Sequence, residues 1–175
     1  DFFGTISAYA KEKGYIHVIY EICNEPEDLE WKYIKEYADI ILPVIESNDP
    51  GAIVIVGTSD WSQRLTPVLN DPINAENYNL GIMYAFHYSA CSHLQLLSEI
   101  IMTVDRLPIF VSDWSSSDYK YDPDKVCAQE SEQLFKYMNG SNTKVSWNYW
   151  IIICLIILLI GMRSIIGMDF VIVCS

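Results

Sequence analysis

Five short apolar runs set the strongest limit on how this chain can fold. They are "IHVIYEI" (16–22), "AIVIVG" (52–57), "LGIMYAF" (80–86), "PIFVS" (108–112) and "KVSWNYW" (144–150). Rich in Val, Ile, Tyr and Phe and nearly continuous, they read as strands buried on both faces of a parallel sheet. The spacers between them hold helices. Over 28–47, Ile34, Tyr37, Ile41 and Ile45 fall on one helical face, with Glu, Lys and Asp between them. That segment enters after Pro26 and Asp28 and stops at Asn48-Asp49-Pro50-Gly51. Residues 94–104 and 125–139 predict further helices, the second turning Val126, Leu134, Phe135 and Met138 inward. The chain also opens inside a helix. Strand and helix in alternation predict a parallel α/β fold. The pattern alone admits a doubly wound sheet or a (β/α)8 barrel. No Gly-rich phosphate loop follows any strand, which disfavours a nucleotide-binding version.

The polar residues collect where the apolar runs end. Asn24 and Glu25 follow the first, Thr58 and Trp61 the second, and His87 the third; Asp113 and Trp114 follow the fourth, and Trp150 closes the fifth. In a barrel the C-terminal strand ends open onto one face, where active sites sit. Two carboxylates from different strands, ringed by Trp and His, suit glycosidic cleavage, because aromatic faces stack on sugar rings. The plainer reading of each acid is a cap on the next helix; it weakens when applied to the whole set.

Composition narrows the partners. A formal charge of -12 argues against a nucleic-acid surface, which needs a basic stripe, and favours an uncharged or cationic partner. The five cysteines contain no C-x-x-C pair and indicate neither a zinc site nor a disulfide framework, so most read as small buried hydrophobes. His87 and His93, with Asp113 or Asp118, match no standard helical metal spacing, and no metal is expected. "DYKYDPD" (118–124) reads as a solvated loop, lacking the glycine and terminal glutamate of an EF-hand.

Four segments together carry a specific resemblance: "VIYEICNEP" (18–26), "IVIVGTSDWSQ" (53–63), "IMYAFHYSACSH" (82–93) and "PIFVSDWSSSD" (108–118). In order and spacing they resemble glycoside hydrolase family 5, most of all its bacterial-type endo-β-1,4-glucanases (cellulases). The resemblance covers residues 1–150 and corresponds to the barrel from the helix before strand four through strand eight. It implies an incomplete (β/α)8 TIM barrel that cleaves β-glucan, cellulose or a relative of it, with retention. It also implies a secreted monomer without cofactor. Glu25 is then the general acid/base and Asp113 holds the nucleophile position. Asn24 bonds the sugar 2-hydroxyl, His87 lines the same subsite, Trp150 is the sugar platform, and Trp61 serves a neighbouring subsite.

The sequence departs from that family at several points. The family's nucleophile is glutamate; Asp113 is one methylene shorter, which draws the carboxylate back by ~1.5 Å. Ser89 stands where the family has tyrosine, Ser115 where it has glycine, and Tyr149 where it has asparagine. These changes point toward weakened turnover, and a catalytically impaired relative that only binds glucan is the second reading. A wider gap could instead admit a water and make Asp113 a base, since inverting carboxyls stand about 6.5–9.5 Å apart. Residues 151–175, "IIICLIILLIGMRSIIGMDFVIVCS", do not match the family. Their uncharged stretch is shorter than the ~18–20 residues a membrane span needs. They are read as a wrong-frame or mis-assembled end, with membrane contact disfavoured. Without its first three strands the barrel would have two open edges and be marginal on its own.

Overall fold

The computed structural model describes residues 2–118, 122–142 and 145–147, and the backbone of 171–174. Helix α1 (Phe2–Lys13) leads into β1 (Val18–Ile22), α2 (Trp31–Asn48) and β2 (Ile53–Val56). Two short pieces follow, the single turn α3 (Ser59–Ser62) and α4 (Thr66–Asn70). Then come β3 (Gly81–Ser89), α5 (Leu97–Thr103) and β4 (Ile109–Ser115). A hairpin of β5 (Ser117–Asp118) and β6 (Asp122–Val126) precedes α6 (Ala128–Asn139), β7 (Val145–Trp147) and β8 (Val171–Cys174).

Six strands form one sheet in the order β7-β4-β3-β2-β1-β8, and every pairing in it is parallel. Alternation sorts their side chains. Tyr20, Ile22, Val54, Val56, Ile82, Tyr84, Phe86, Ile109 and Val111 share one core with the buried stripes of the helices. In α2 that stripe is Trp31, Ile34, Ala38, Leu42 and Ile45. Each fully buried Leu or Ile there contributes roughly 1.5–3 kcal/mol, enough to outweigh weak local propensity. Tyr37, expected on this face, is exposed, and Ile41 is half-buried. The opposite sheet face carries a separate small cluster of Ile55, Met83, Ala85 and Phe110, with Ile19 against it and, among the described residues, no helix in the cluster. Among the described residues the helices pack on one face, as in an arc of a (β/α)8 barrel; a doubly wound sheet would carry them on both.

Several expectations are corrected. Cys91 and Cys127 form a disulfide, joining the loop after β3 to the start of α6 across 36 residues of sequence. Spacing could not show it, because the pair meets only through the fold. "DYKYDPD" supplies strand residues at both ends of its hairpin. Val126 ends β6 and is exposed, so α6 buries Leu134 and Met138 without it. Residues 151–170 lie outside the described residues, as do Tyr149 and Trp150. Strand β8, within the segment read as foreign, pairs along β1 from Val18↔Val171 to Glu21↔Cys174. The β1 edge expected to be open is therefore covered. No helix among the described residues is long and apolar enough to cross a membrane.

Candidate active site at the strand ends

The C-terminal ends of β1 to β4 enclose a cleft of about 510 Å³ lined by Glu25, Trp61, Gln63, His87, His93, Asp113 and Asp118, among others. Strands β3 and β4 run past their apolar segments, so His87 and Asp113 sit inside strands. Register explains how Asp113 reaches the cleft. Ala85 pairs with Phe110 and His87 with Asp113, so two steps along β3 match three along β4. This bulge reverses the alternation of β4. Val111 and Trp114 both face the helices, while Ser112 and Asp113 both approach His87. Strict period-two reading from Phe110 would have turned Asp113 away.

Glu25 leaves β1 through a tight turn. Cys23 adopts a left-handed φ of 58° just before Asn24. The turn packs against Gly57, whose backbone N–H donates to the Ile22 carbonyl (2.9 Å). A Cβ at Gly57 would stand 1.6 Å from the Cys23 carbonyl oxygen, so only glycine fits there. Ser62 then braces the two loops: its hydroxyl donates to the Asn24 carbonyl (2.7 Å) and accepts from the Thr58 N–H (3.1 Å). Asp60, Trp61 and Ser62 all have φ between 53° and 58°. For L-residues that left-handed run costs roughly 1–2 kcal/mol each. It presents Trp61 to the cleft with 40% of its surface exposed. Ser62 went unremarked in the sequence, since a serine in "SDWSQ" gives no hint of a cross-loop brace.

The ring of His87 is the hub. Its Nδ1 lies 2.9 Å from Glu25 Oε1 and its Nε2 lies 3.1 Å from Ser112 Oγ. The Ser112 hydroxyl donates to Glu21 Oε1 (2.6 Å), so toward His87 it can only accept. A carboxylate also only accepts, so both ring nitrogens donate and the ring is an imidazolium. Burial alone would lower its pKa. The bonds and charges of Glu21 and Glu25, with the charge of Asp113, prevail and lift it to about 9. Glu21 acts through Ser112, its direct separation from Nε2 being 3.8 Å.

The two carboxyls respond in opposite directions. The hydrogen bond from His87 holds Glu25 below the ordinary glutamate range, against the effect of its partial burial. Burial pushes Asp113 up to about 6, with Glu25 and Glu21 adding to the rise and His87 opposing it. Carboxylate oxygens of Glu25 and Asp113 and a ring nitrogen of His87 all lie within 4.8 Å of one another. The residues at 25, 87 and 113 are thus brought together, and Trp61 borders their cleft. Asn24 is half-buried beside Glu25, tied by its carbonyl rather than counted in the cleft wall. Trp150 is outside the described residues. Ser89 is buried, and its N–H donates to His93 Nδ1 (3.1 Å). Ser115 bonds Ser117 in the loop toward the hairpin. Glu21, nearly inaccessible in mid-strand, was missed. Its signal was an acid inside "VIYEI" on the face shared with Ile19.

The family described as "Cellulase (glycosyl hydrolase family 5)" matches residues 1–153. Endoglucanase A of Evansella cellulosilytica is 37% identical over 155 residues, which span 86% of this chain and 30% of that protein. Endoglucanase CelA of Streptomyces lividans is 41% identical over 123 residues, 66% of this chain and 25% of that protein. The solved catalytic domain of Thermobifida fusca endoglucanase Cel5A superimposes with a TM-score of 0.71 at 32% identity, covering 85% of this chain and 48% of that one. A single-residue variant of that domain is also solved with cellotetraose. The chain spans about a quarter to a third of the length of these curated relatives and about half of that solved domain.

Proposed function

Because the chain belongs to the cellulase family, glycosyl hydrolase family 5, we propose that it carries the catalytic half of an endo-β-1,4-glucanase. Retaining double displacement needs one carboxyl to protonate the leaving oxygen and another, about 5–5.5 Å away, to attack the anomeric carbon. Glu25 takes the first role and Asp113 the second. The observation that carries this reading is the convergence of Glu25, His87 and Asp113 within 4.8 Å at the cleft floor. Oxygens that close favour the retaining spacing over the inverting one. Asn24 bonds the sugar 2-hydroxyl, His87 lines the cleavage subsite, and the faces of Trp61 and Trp150 stack on neighbouring rings. The disulfide supports an oxidising, extracellular setting, since such bonds are rare in reducing compartments. The protein acts as a monomer on β-glucan.

The electrostatics favour a second reading as well. Retention requires a protonated acid and an ionised nucleophile. Before substrate enters, the site is biased the other way, with Glu25 ionised against His87 and the Asp113 carboxyl held up. Substrate binding must separate Glu25 from the imidazolium, or the chain binds glucan without cleaving it. Hydrolysis of carboxymethylcellulose, lost in Glu25→Gln, supports the enzyme; no hydrolysis alongside retained cello-oligosaccharide binding supports the second reading. For an active chain, β-anomer release from cellotetraose is expected, and α-anomer release would overturn retention.

A further inference from the structure

We propose that Glu25, His87 and Asp113 form a site for a divalent transition-metal ion, with zinc the best fit, which closes the cleft to substrate. This goes beyond the glucanase reading and does not depend on turnover. The donors are one imidazole nitrogen and two carboxylate oxygens from three different loops and strands, a set that zinc accepts. They already lie within 4.8 Å of one another. Zinc at 2.0–2.2 Å from each donor would place them about 3.4 Å apart. Asp113 therefore has to approach by up to about 1.4 Å, while Glu25 opens from its 2.9 Å hydrogen bond with His87; with 43% of its side chain exposed, Glu25 has room to move.

The surroundings are those of a metal-bound histidine. Ligating imidazoles donate their second ring N–H to a carboxylate or similar acceptor, which fixes the ring and its tautomer. His87 Nε2 does this through Ser112 to the buried carboxylate of Glu21. That leaves Nδ1 as the ligating atom, facing Glu25 Oε1. On binding, the ion replaces the proton between these two atoms, and that proton passes to solvent. Two carboxylates, Glu25 and Asp113, face this position, with Glu21 behind the ring on its Nε2 side, and among the described residues no Lys or Arg borders the cleft. The cleft leaves room for water or another exogenous ligand to complete the coordination. His93 is outside the set: its Nδ1 accepts the Ser89 N–H.

The test is isothermal titration of the full chain with zinc chloride in a non-chelating buffer. Saturable one-to-one binding is expected, abolished in His87→Gln and Asp113→Asn and retained in Cys23→Ala, which removes the free thiol among the described residues. Ser112→Ala, which keeps all three ligands, should weaken binding by about 10–100-fold. Circular dichroism of each variant distinguishes lost binding from lost fold. A folded wild-type chain that takes up no zinc at millimolar concentration overturns the inference, as does unchanged binding in both Asp113→Asn and Ser112→Ala. Zinc uptake by a chain that never hydrolyses glucan would sink the glucanase reading alone; hydrolysis without zinc uptake would sink this one alone.

Discussion

His87 Nδ1 lies 2.9 Å from Glu25 Oε1, so a buried cation of the cleft is paired with the carboxyl proposed as acid/base. The pair rests on Ser112, which links Nε2 to Glu21. This arrangement has a pH signature. His87 is raised to about 9, above the unfolded value near 6.5. Its contribution to stability is complete below about 6.5 and is lost as the pH rises through about 9. The size is on the order of 3 kcal/mol. Thermal unfolding followed with chelator present should show the melting temperature falling across that window. Ser112→Ala should move the His87 titration, read by NMR, to lower pH. A flat stability profile together with an unmoved titration would contradict the pairing.

Gly57 should tolerate no side chain. Its Cβ position is 1.6 Å from the Cys23 carbonyl oxygen, a backbone atom that cannot rotate aside. Gly57→Ala should therefore cost about 2 kcal/mol or more and displace the Glu25 turn. Chemical denaturation of the variant is the check. A loss under 0.5 kcal/mol, which is about the scatter of surface substitutions, would show that the two strand ends are not held so tightly.

The Cys91–Cys127 link closes 36 residues of chain. In the chain-entropy account a loop of that size contributes about 4 kcal/mol, unless native strain offsets it. Dithiothreitol should therefore lower the melting temperature of the wild type and leave the Cys91→Ser, Cys127→Ser double variant unaffected. Equal melting temperatures for the wild type with and without reductant would count against the bond.

Most of the fold was legible because its signals are local. The apolar runs around Val18–Ile22, Ile53–Val56 and Ile109–Ser115 mark their strands by composition, and α2 carries its own entry and stop residues. Glu25, His87 and Asp113 were found by motif, and the structure brings them together. What stayed hidden is relational. The β4 bulge that turns Asp113 inward depends on register against β3. The Glu21–Ser112–His87 relay joins three strands, and the disulfide joins two loops. The exposure of Val126 follows from a hairpin that local periodicity around α6 cannot report.

Glu25 and Asp113 are proposed as a retaining pair in which the nucleophile's carboxylate is one carbon short. Misplacement of a catalytic group by about 1 Å costs on the order of 100-fold. The direct measurement is kcat/KM on carboxymethylcellulose for the wild type, Asp113→Glu and Glu25→Gln. A rise of about 100-fold is expected in Asp113→Glu, and loss of turnover in Glu25→Gln. Activity that is unchanged or lower in Asp113→Glu, in a chain whose wild type turns over, would contradict it.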